Sequence, residues 1–234
     1  MTFQKLGGMS MSVLNKSEIL NLCETRQLID PYDRRNIKYS SYDLRVGEEY
    51  RLSSQSRVSG VSRNGSIEIP AHEICFILTE ERITLPNDLC AFLFSRLEGM
   101  KRGYLMHPQP PIDPGYSGRL CILLHNLSNF TITLHRGQHI ASIVFMKLSN
   151  AVENGYGFDQ NDDRYQHGNN LRDFIDDATY TSALTQIADK LKKTVNNWRE
   201  TLISKWMPLI LTFVSILLII LTILLTILIS KFFR

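Results

Sequence analysis

Between residues 94 and 120 the chain reads FSRLEGMKRGYLMHPQPPIDPGYSGRL, and both halves hold side chains spaced for chemistry. The right half, IDPGYSG, reads as the floor of a nucleotide pocket. Asp113 before Pro114-Gly115 equally suits a turn cap, because a short acidic side chain bonds the backbone just ahead of it. The left half, SRLEGMKRG, reads as a phosphate and catalytic loop without the hydroxyls such a loop uses. Arg96 and Lys101 offer positive charge there. Leu97 has no hydrogen-bonding group, and Glu98 adds a negative charge beside these cations. The chain has no GxxxxGK[ST] phosphate loop and no metal-ligand cluster, so Mg²⁺ is expected only as the companion of a bound nucleoside triphosphate.

Composition narrows the function classes. Lys and Arg number 26 against 23 Asp and Glu, a formal net charge of +3 over 234 residues. That balance gives no nucleic-acid footprint, which needs clustered positive charge. The four cysteines (Cys23, Cys75, Cys90 and Cys121) are scattered, and three lie in apolar runs. They read as small buried residues, reduced and facing a cytoplasm.

The elements that must position these residues follow from the pattern. Residues 1–13 form a loose leader with no apolar run long enough for a signal peptide. SVLNKSEILNLCETRQL has helical spacing, with Asn15 or Ser17 as N-cap. From Tyr42 to Leu148 short β-type runs follow one another (YDLRV, EYRL, SIEI, ICFIL, ERITL, LCAFLF, LCILLHN, TITL, HIASIVFMKL), separated by turn residues such as RNGS, PND, DPG and RGQ. Many short strands at fairly regular spacing predict a mainly β domain, a barrel or jelly roll, over 14–176. Its last part, 149–176, is polar and rich in Gly and Asn, as a surface arm is.

Beyond it the helical period returns over 177–206. Leu184, Ile187, Leu191, Val195, Trp198, Leu202 and Trp206 recur with an eleven-residue repeat. This amphipathic stalk either bundles with copies of itself, or packs on its own domain or the membrane interface. Residues 207–230, MPLILTFVSILLIILTILLTILIS, carry no charge. At about 1.5 Å per residue they reach roughly 36 Å, enough to cross a bilayer core of roughly 30 Å. Pro208 suits a first helical turn, Trp206, Phe232 and Phe233 flank the span, and Lys205 and Lys231 bracket it. Lys190, Lys192, Lys193, Arg199 and Lys205 precede the span, whereas the tail 231–234 has only Lys231 and Arg234. The excess places the N-terminal domain in the cytoplasm on a single-pass C-terminal anchor in a lipid bilayer.

From Leu14 to about Asn170 the chain resembles the deoxycytidine triphosphate deaminases, members of the trimeric dUTPase-like superfamily. The resemblance is carried, in order, by LNKSEILNLCETRQLIDPYD, SYDLRVGEEYRL, LTEERITLPNDLCAFLFSR, IDPGYSG, Asn126, LHRGQHIASIVF and RYQHG. It implies a dUTPase-like distorted β-barrel, a homotrimer with sites between subunits, and a pyrimidine deoxynucleotide ligand.

The family's functional residues carry over unevenly. Its loop Arg-Ser-Ser-x-x-Arg-x-Gly falls on Arg96-Leu97-Glu98-Gly99-Met100-Lys101-Arg102-Gly103, so both serines are gone and Lys101 stands for the second Arg without its planar fork. The Glu that shuttles protons in deamination falls on Leu123, three residues before Asn126. A general acid/base contributes typically ~10²–10⁴-fold, and leucine supplies none of it. Glu98 or His125 could substitute only if the backbone moved. Asp113 falls on the Asp that contacts the deoxyribose, or in dUTPases positions water. Tyr156, Arg164, Tyr165 and Gln166 fall on the segment that closes over base and triphosphate, or form a solvated loop. Prolines in MHPQPP alter the base-reading segment.

Two function classes follow. One is a tethered enzyme, a dCTP deaminase or dUTP diphosphatase, resting on Asp113. The other, preferred because three chemical positions are lost together, is a catalytically silenced nucleotide-binding sensor or effector at the membrane. A scaffold without ligand is the third reading.

Overall fold

A computed structural model of the chain describes residues 11–158, 165–175 and 183–232. Residues 11–175 belong to one compact unit and the helical segment from Ala183 to another.

The first unit is built on antiparallel strands. β1 (Ser12–Val13), β2 (Ile29–Asp30), β3 (Tyr42–Leu52), β4 (Ser59–Gly60), β6 (Ile74–Thr84), β7 (Leu89–Ser95), β8 (Tyr104–Met106), β9 (Ser117–Asn126) and β11 (His139–Lys147) form one curled sheet among the described residues. Its spatial order is β1-β11-β3-β6-β9-β8, with β2 on β6, β4 on β3 and β7 on β11. β5 (Ser66–Ile69) and β10 (Ile132–His135) make a separate ribbon. The mainly β expectation therefore holds. Two pairs of apolar runs fuse, YDLRV with EYRL into β3 and ICFIL with ERITL into β6, because bulges let a long strand bend without ending. The end of the leader is drawn into the sheet, since Ser12 and Val13 pair with Lys147 and Met146.

α1 (Lys16–Arg26) starts at Asn15, whose side chain accepts from the N–H groups of Ser17 and Glu18 while Glu18 bonds back to Asn15 N. It buries Ile19 and Cys23 against Leu28, Tyr42, Leu89 and Phe145. A second core fills the curl of the sheet from Val46, Ile67, Ile77, Ile122, Leu124 and Leu134. β9 divides its side chains strictly. Leu120, Ile122, Leu124 and Asn126 are buried inward, and Cys121, Leu123 and His125 take the opposite face, half-buried.

In the second unit α3 (Ala183–Thr201) runs through a π turn (Leu202–Trp206) into α4 (Met207–Phe232). The amphipathic and apolar segments are one unbroken helix, so Pro208 sits inside it and not at a helix start. The π turn explains how. Proline lacks an N–H and its ring crowds the carbonyl of the preceding turn, and widening that turn to a Met207 N to Leu202 O bond makes room. The stretch Lys190–Ile229 is long and apolar enough to cross a membrane.

Candidate functional site

A cavity of about 440 Å³ opens on the outer face of β6 and β9. Phe76, Cys121 and Leu123 form its sheet wall, Gln109 to Asp113 one rim, Tyr116 and Tyr156 a second, and Tyr165, Phe174 and Ile175 the far side. The wall follows from strand alternation, since Phe76 and Leu123 are register partners on β6 and β9 and so emerge on one face.

The rim is set by a tight turn. Asp113 O accepts from Tyr116 N (3.2 Å), with Pro114 and then Gly115 at φ +86° between them. That is a type II turn, and its third position requires a positive φ. A Cβ on Gly115 would also stand 2.8 Å from Tyr156 N, so the glycine lets a second chain segment lie directly on the turn. Asp113 is exposed at the cavity mouth.

The described ends of the segment that lies there are bonded to the turn and to β9. Tyr156 N donates to Pro114 O (2.6 Å). Gln166 accepts from Ser117 N (2.9 Å) and donates to Gly115 O (3.0 Å) and Tyr156 O (3.2 Å). His167 N continues the pairing to Ser117 O, and Gly168 O accepts from Arg119 N. Leu171 is fully buried, its N–H bonded to Glu49 Oε2 (2.6 Å). Gln166 thus has its polar atoms committed to backbone. Arg164 lies outside the described residues.

The loop that the resemblance singled out lies outside this cavity in the single chain. Leu97–Lys101 form a short helix, α2, with Arg96 at its N-cap position but no side-chain cap bond. Arg96 is bonded to Asp43, which also accepts from Ser142 Oγ (2.7 Å). Although burial pushes the Asp43 carboxyl up, the bonds from Arg96 and Ser142 hold it below the ordinary value. Lys101 and Leu97 face solvent, and Glu98 is paired with Arg102 (2.8 Å). None of these residues lines the cavity. Of the sequence candidates, the structure brings Asp113, Leu123, Tyr156 and Tyr165 together and leaves Arg96 and Lys101 apart.

His125 and Glu98 do not take the place of an acid/base at Leu123. His125 shares the outward face of β9 but stacks on His107 (ring centroids 5.9 Å apart, planes at 13°), outside the cavity lining. Burial, and then His107, lower its pKa. The thiol of Cys121, in the wall itself, is pushed up to about 12 by burial. Tyr116, raised by burial as well, donates to Arg119 O. Spacing gave no signal for Phe76, Tyr116, Phe174 and Ile175, which meet only through tertiary packing. Among the described residues no three His, Cys, Asp or Glu side chains gather as metal ligands.

The dCTP deaminase-like family model matches residues 13–148, more than half of the chain. The chain belongs to this family. It is 33% identical over 129 residues to the dCTP deaminase of Pyrococcus horikoshii, covering 55% of this chain and 81% of that protein. It is 33% identical over 161 residues to a dUMP-forming dCTP deaminase of Thermobifida fusca, covering 60% and 80%. Its fold is similar to that of the 2′-deoxycytidine 5′-triphosphate deaminase of Agrobacterium tumefaciens (TM-score 0.51, 16% identity, 58% of this chain and 49% of that one). Within the dCTP deaminase-like domain, then, the cavity beside Asp113 is the place to look for ligand chemistry, and its wall carries Leu123.

Proposed function

We propose that this chain is a catalytically silenced dCTP deaminase-like protein that binds a pyrimidine deoxynucleotide, or a related nucleotide, as a membrane-anchored sensor or effector. The observation that carries the reading is Leu123. It lines the same cavity as Asp113, where the family resemblance puts the proton shuttle, and the described residues around it are apolar or aromatic apart from Gln109, Cys121 and Asp113. Removal of the cytosine amine needs a group that takes a proton from water and returns one to nitrogen. Cys121, with its pKa pushed up to about 12, stays protonated and is a poor base at neutral pH.

The loss extends to phosphate binding. Arg96 is committed to Asp43, and Glu98 and Arg102 neutralise each other. Any triphosphate contact falls to Lys101, to Arg164 or to a second subunit, and Mg²⁺ would arrive with the nucleotide. The anchored form we envisage is a homotrimer with its β domain in the cytoplasm and α4 across the bilayer. The apolar helix and its cationic flank support the anchor.

One observation favours retained catalysis, that Asp113 lines the cavity. The fragment ending near residue 177 is incubated with each deoxynucleoside triphosphate and Mg²⁺, products are separated, and thermal shifts are recorded. A shift without product is expected. Conversion of dCTP or dUTP overturns silencing, and neither shift nor product leaves a ligand-free scaffold.

A further inference from the structure

α3 carries an apolar face that nothing covers within its own helical unit. Ile187, Leu191, Val195, Trp198, Leu202 and Trp206 are all more than half exposed. Their spacing of three or four residues puts them on one side of the helix. We propose that this face lies on the anionic surface of the bilayer that α4 crosses, the chain bending at the π turn between them. The inference rests on the reading of α4 as a membrane span.

Charge identifies the occupant. At about 100° per residue, Lys192 and Arg199 stand roughly 70–90° to one side of the stripe and Lys190 roughly 110° to the other. Lys205 directly precedes Trp206. Glu200 lies on the far side with Lys193. Cations along both edges of an apolar face let their stems lie on the acyl boundary while their heads meet lipid phosphates. The same edges oppose a parallel bundle of copies, in which the flanks of neighbouring helices meet and Lys192 and Arg199 would face further cations. Trp198 and Trp206 are also the residue type that settles at headgroup level.

The junction permits the bend. A π turn directly before a proline is a pair of features at which helices kink, and Leu202–Trp206 followed by Pro208 supplies both where the span begins. The apolar face ends at Trp206 on that junction, so a bent helix lays the whole stripe on lipid.

The chain's two tryptophans are Trp198 and Trp206, which makes the test direct. Full-length Trp206→Phe and Trp198→Phe proteins are reconstituted into vesicles of phosphatidylcholine and phosphatidylglycerol containing lipid brominated near the top of the acyl chains. Each variant reports one tryptophan by loss of emission. In an upright stalk Trp198 stands about 12 Å further from the bilayer than Trp206 and escapes the bromines. The expected result is comparable loss of emission at both positions, weakened at Trp198 when phosphatidylglycerol is omitted. Loss at Trp206 alone overturns the proposal while leaving the span intact, and disulfide formation between Val195→Cys chains would then assign the face to a second copy. No loss at either position removes the span reading itself.

Discussion

Arg96, at the end of β7, is bonded to Asp43 on β3, whose carboxylate is almost wholly enclosed. The pair is joined through β11, which lies between the two strands and sets Ser142 against both Asp43 and Phe94. Arg96 therefore fastens the end of β7 to the sheet, at a position where the family resemblance expects a ligand contact.

Removing one partner strands the other. Arg96→Ala leaves a buried carboxylate with only Ser142 and its ion pair to the exposed Lys38 (3.6 Å), and is expected to cost about 3 kcal/mol in urea unfolding of the β domain. The pH profile separates this from lost packing. The Asp43 carboxyl is held below its ordinary value, so the native state keeps the charge longer than the unfolded chain. Its stabilisation is full above the unfolded pKa of about 3.9 and is lost as pH falls through the folded one. The wild-type protein should therefore lose stability in that acid range, and Arg96→Ala should lose less.

Asn126 closes the far end of β9. It is fully buried, its Nδ2 bonding the carbonyls of Ile69, Pro70 and Phe130 (2.8–3.0 Å) and its Oδ1 accepting from Ser128 N and Oγ. Asn126→Leu keeps the branched shape in a larger side chain and removes all of these bonds, while Pro70 O keeps Glu73 N (3.2 Å) and Phe130 O keeps Ser128 Oγ (3.0 Å). A loss of about 3 kcal/mol is expected by chemical denaturation, because several enclosed bonds are lost together and the added bulk must be fitted into a closed site.

How much of this was legible follows from the range of each interaction. Alternation in LCILLHN is local, so it already places Leu123 and His125 on the face opposite Leu124 and Asn126, and the Asn15 cap and the DPG turn are local as well. The pocket was half legible. Asp113 and Leu123 come from motif order, but Tyr116, Phe174 and Phe76 converge only when residues 165–175 pack on β9 and β6. The Arg96–Asp43 pair depends on strand order, which no local spacing records. At the other end of the chain, apolar length already marks a helix long enough to cross a membrane, but how that helix passes a proline without ending needs the backbone.

The stacked imidazoles predict a second pH effect. The Nε2 atoms of His107 and His125 are enclosed without a hydrogen-bond partner among the described residues. Burial and His107 lower the His125 pKa. The unfolded chain then binds its proton first as pH falls, so stability is full above the unfolded value of about 6.5 and declines as pH drops towards the folded one. His125→Phe keeps a ring for stacking and should flatten part of that decline in thermal unfolding between pH 7 and about 5. An unchanged slope would move the effect to His139, which burial also lowers.

Gly47 marks a close crossing of backbones. A Cβ there would lie 2.6 Å from Leu78 O and 2.8 Å from Thr79 C, at the point where the β3–β6 register shifts. Main chain cannot swing aside as a side-chain tip does. Gly47→Ala is expected to cost about 2 kcal/mol, within the range of overpacking, and a neutral substitution in thermal unfolding would show that the bulge yields.

Leu123→Glu returns a carboxylate to the place where the family resemblance puts its proton shuttle. In this wall the new group would face Phe76, Cys121 and the prolines at 110 and 111. Burial would raise its pKa above the unfolded value of about 4.3. A raised carboxyl costs stability while charged, about 1–3 kcal/mol at neutral pH, and the cost is relieved as pH falls through the raised folded value. The variant should therefore be less stable than wild type at pH 7 and recover at pH 5. It should not deaminate dCTP, because Leu97, Lys101 and Glu98 still stand on α2 outside the cavity. Deamination by the single variant, read as dUTP formed, would mean that the proton shuttle was the one missing part and that Asp113 and its neighbours still bind substrate for chemistry.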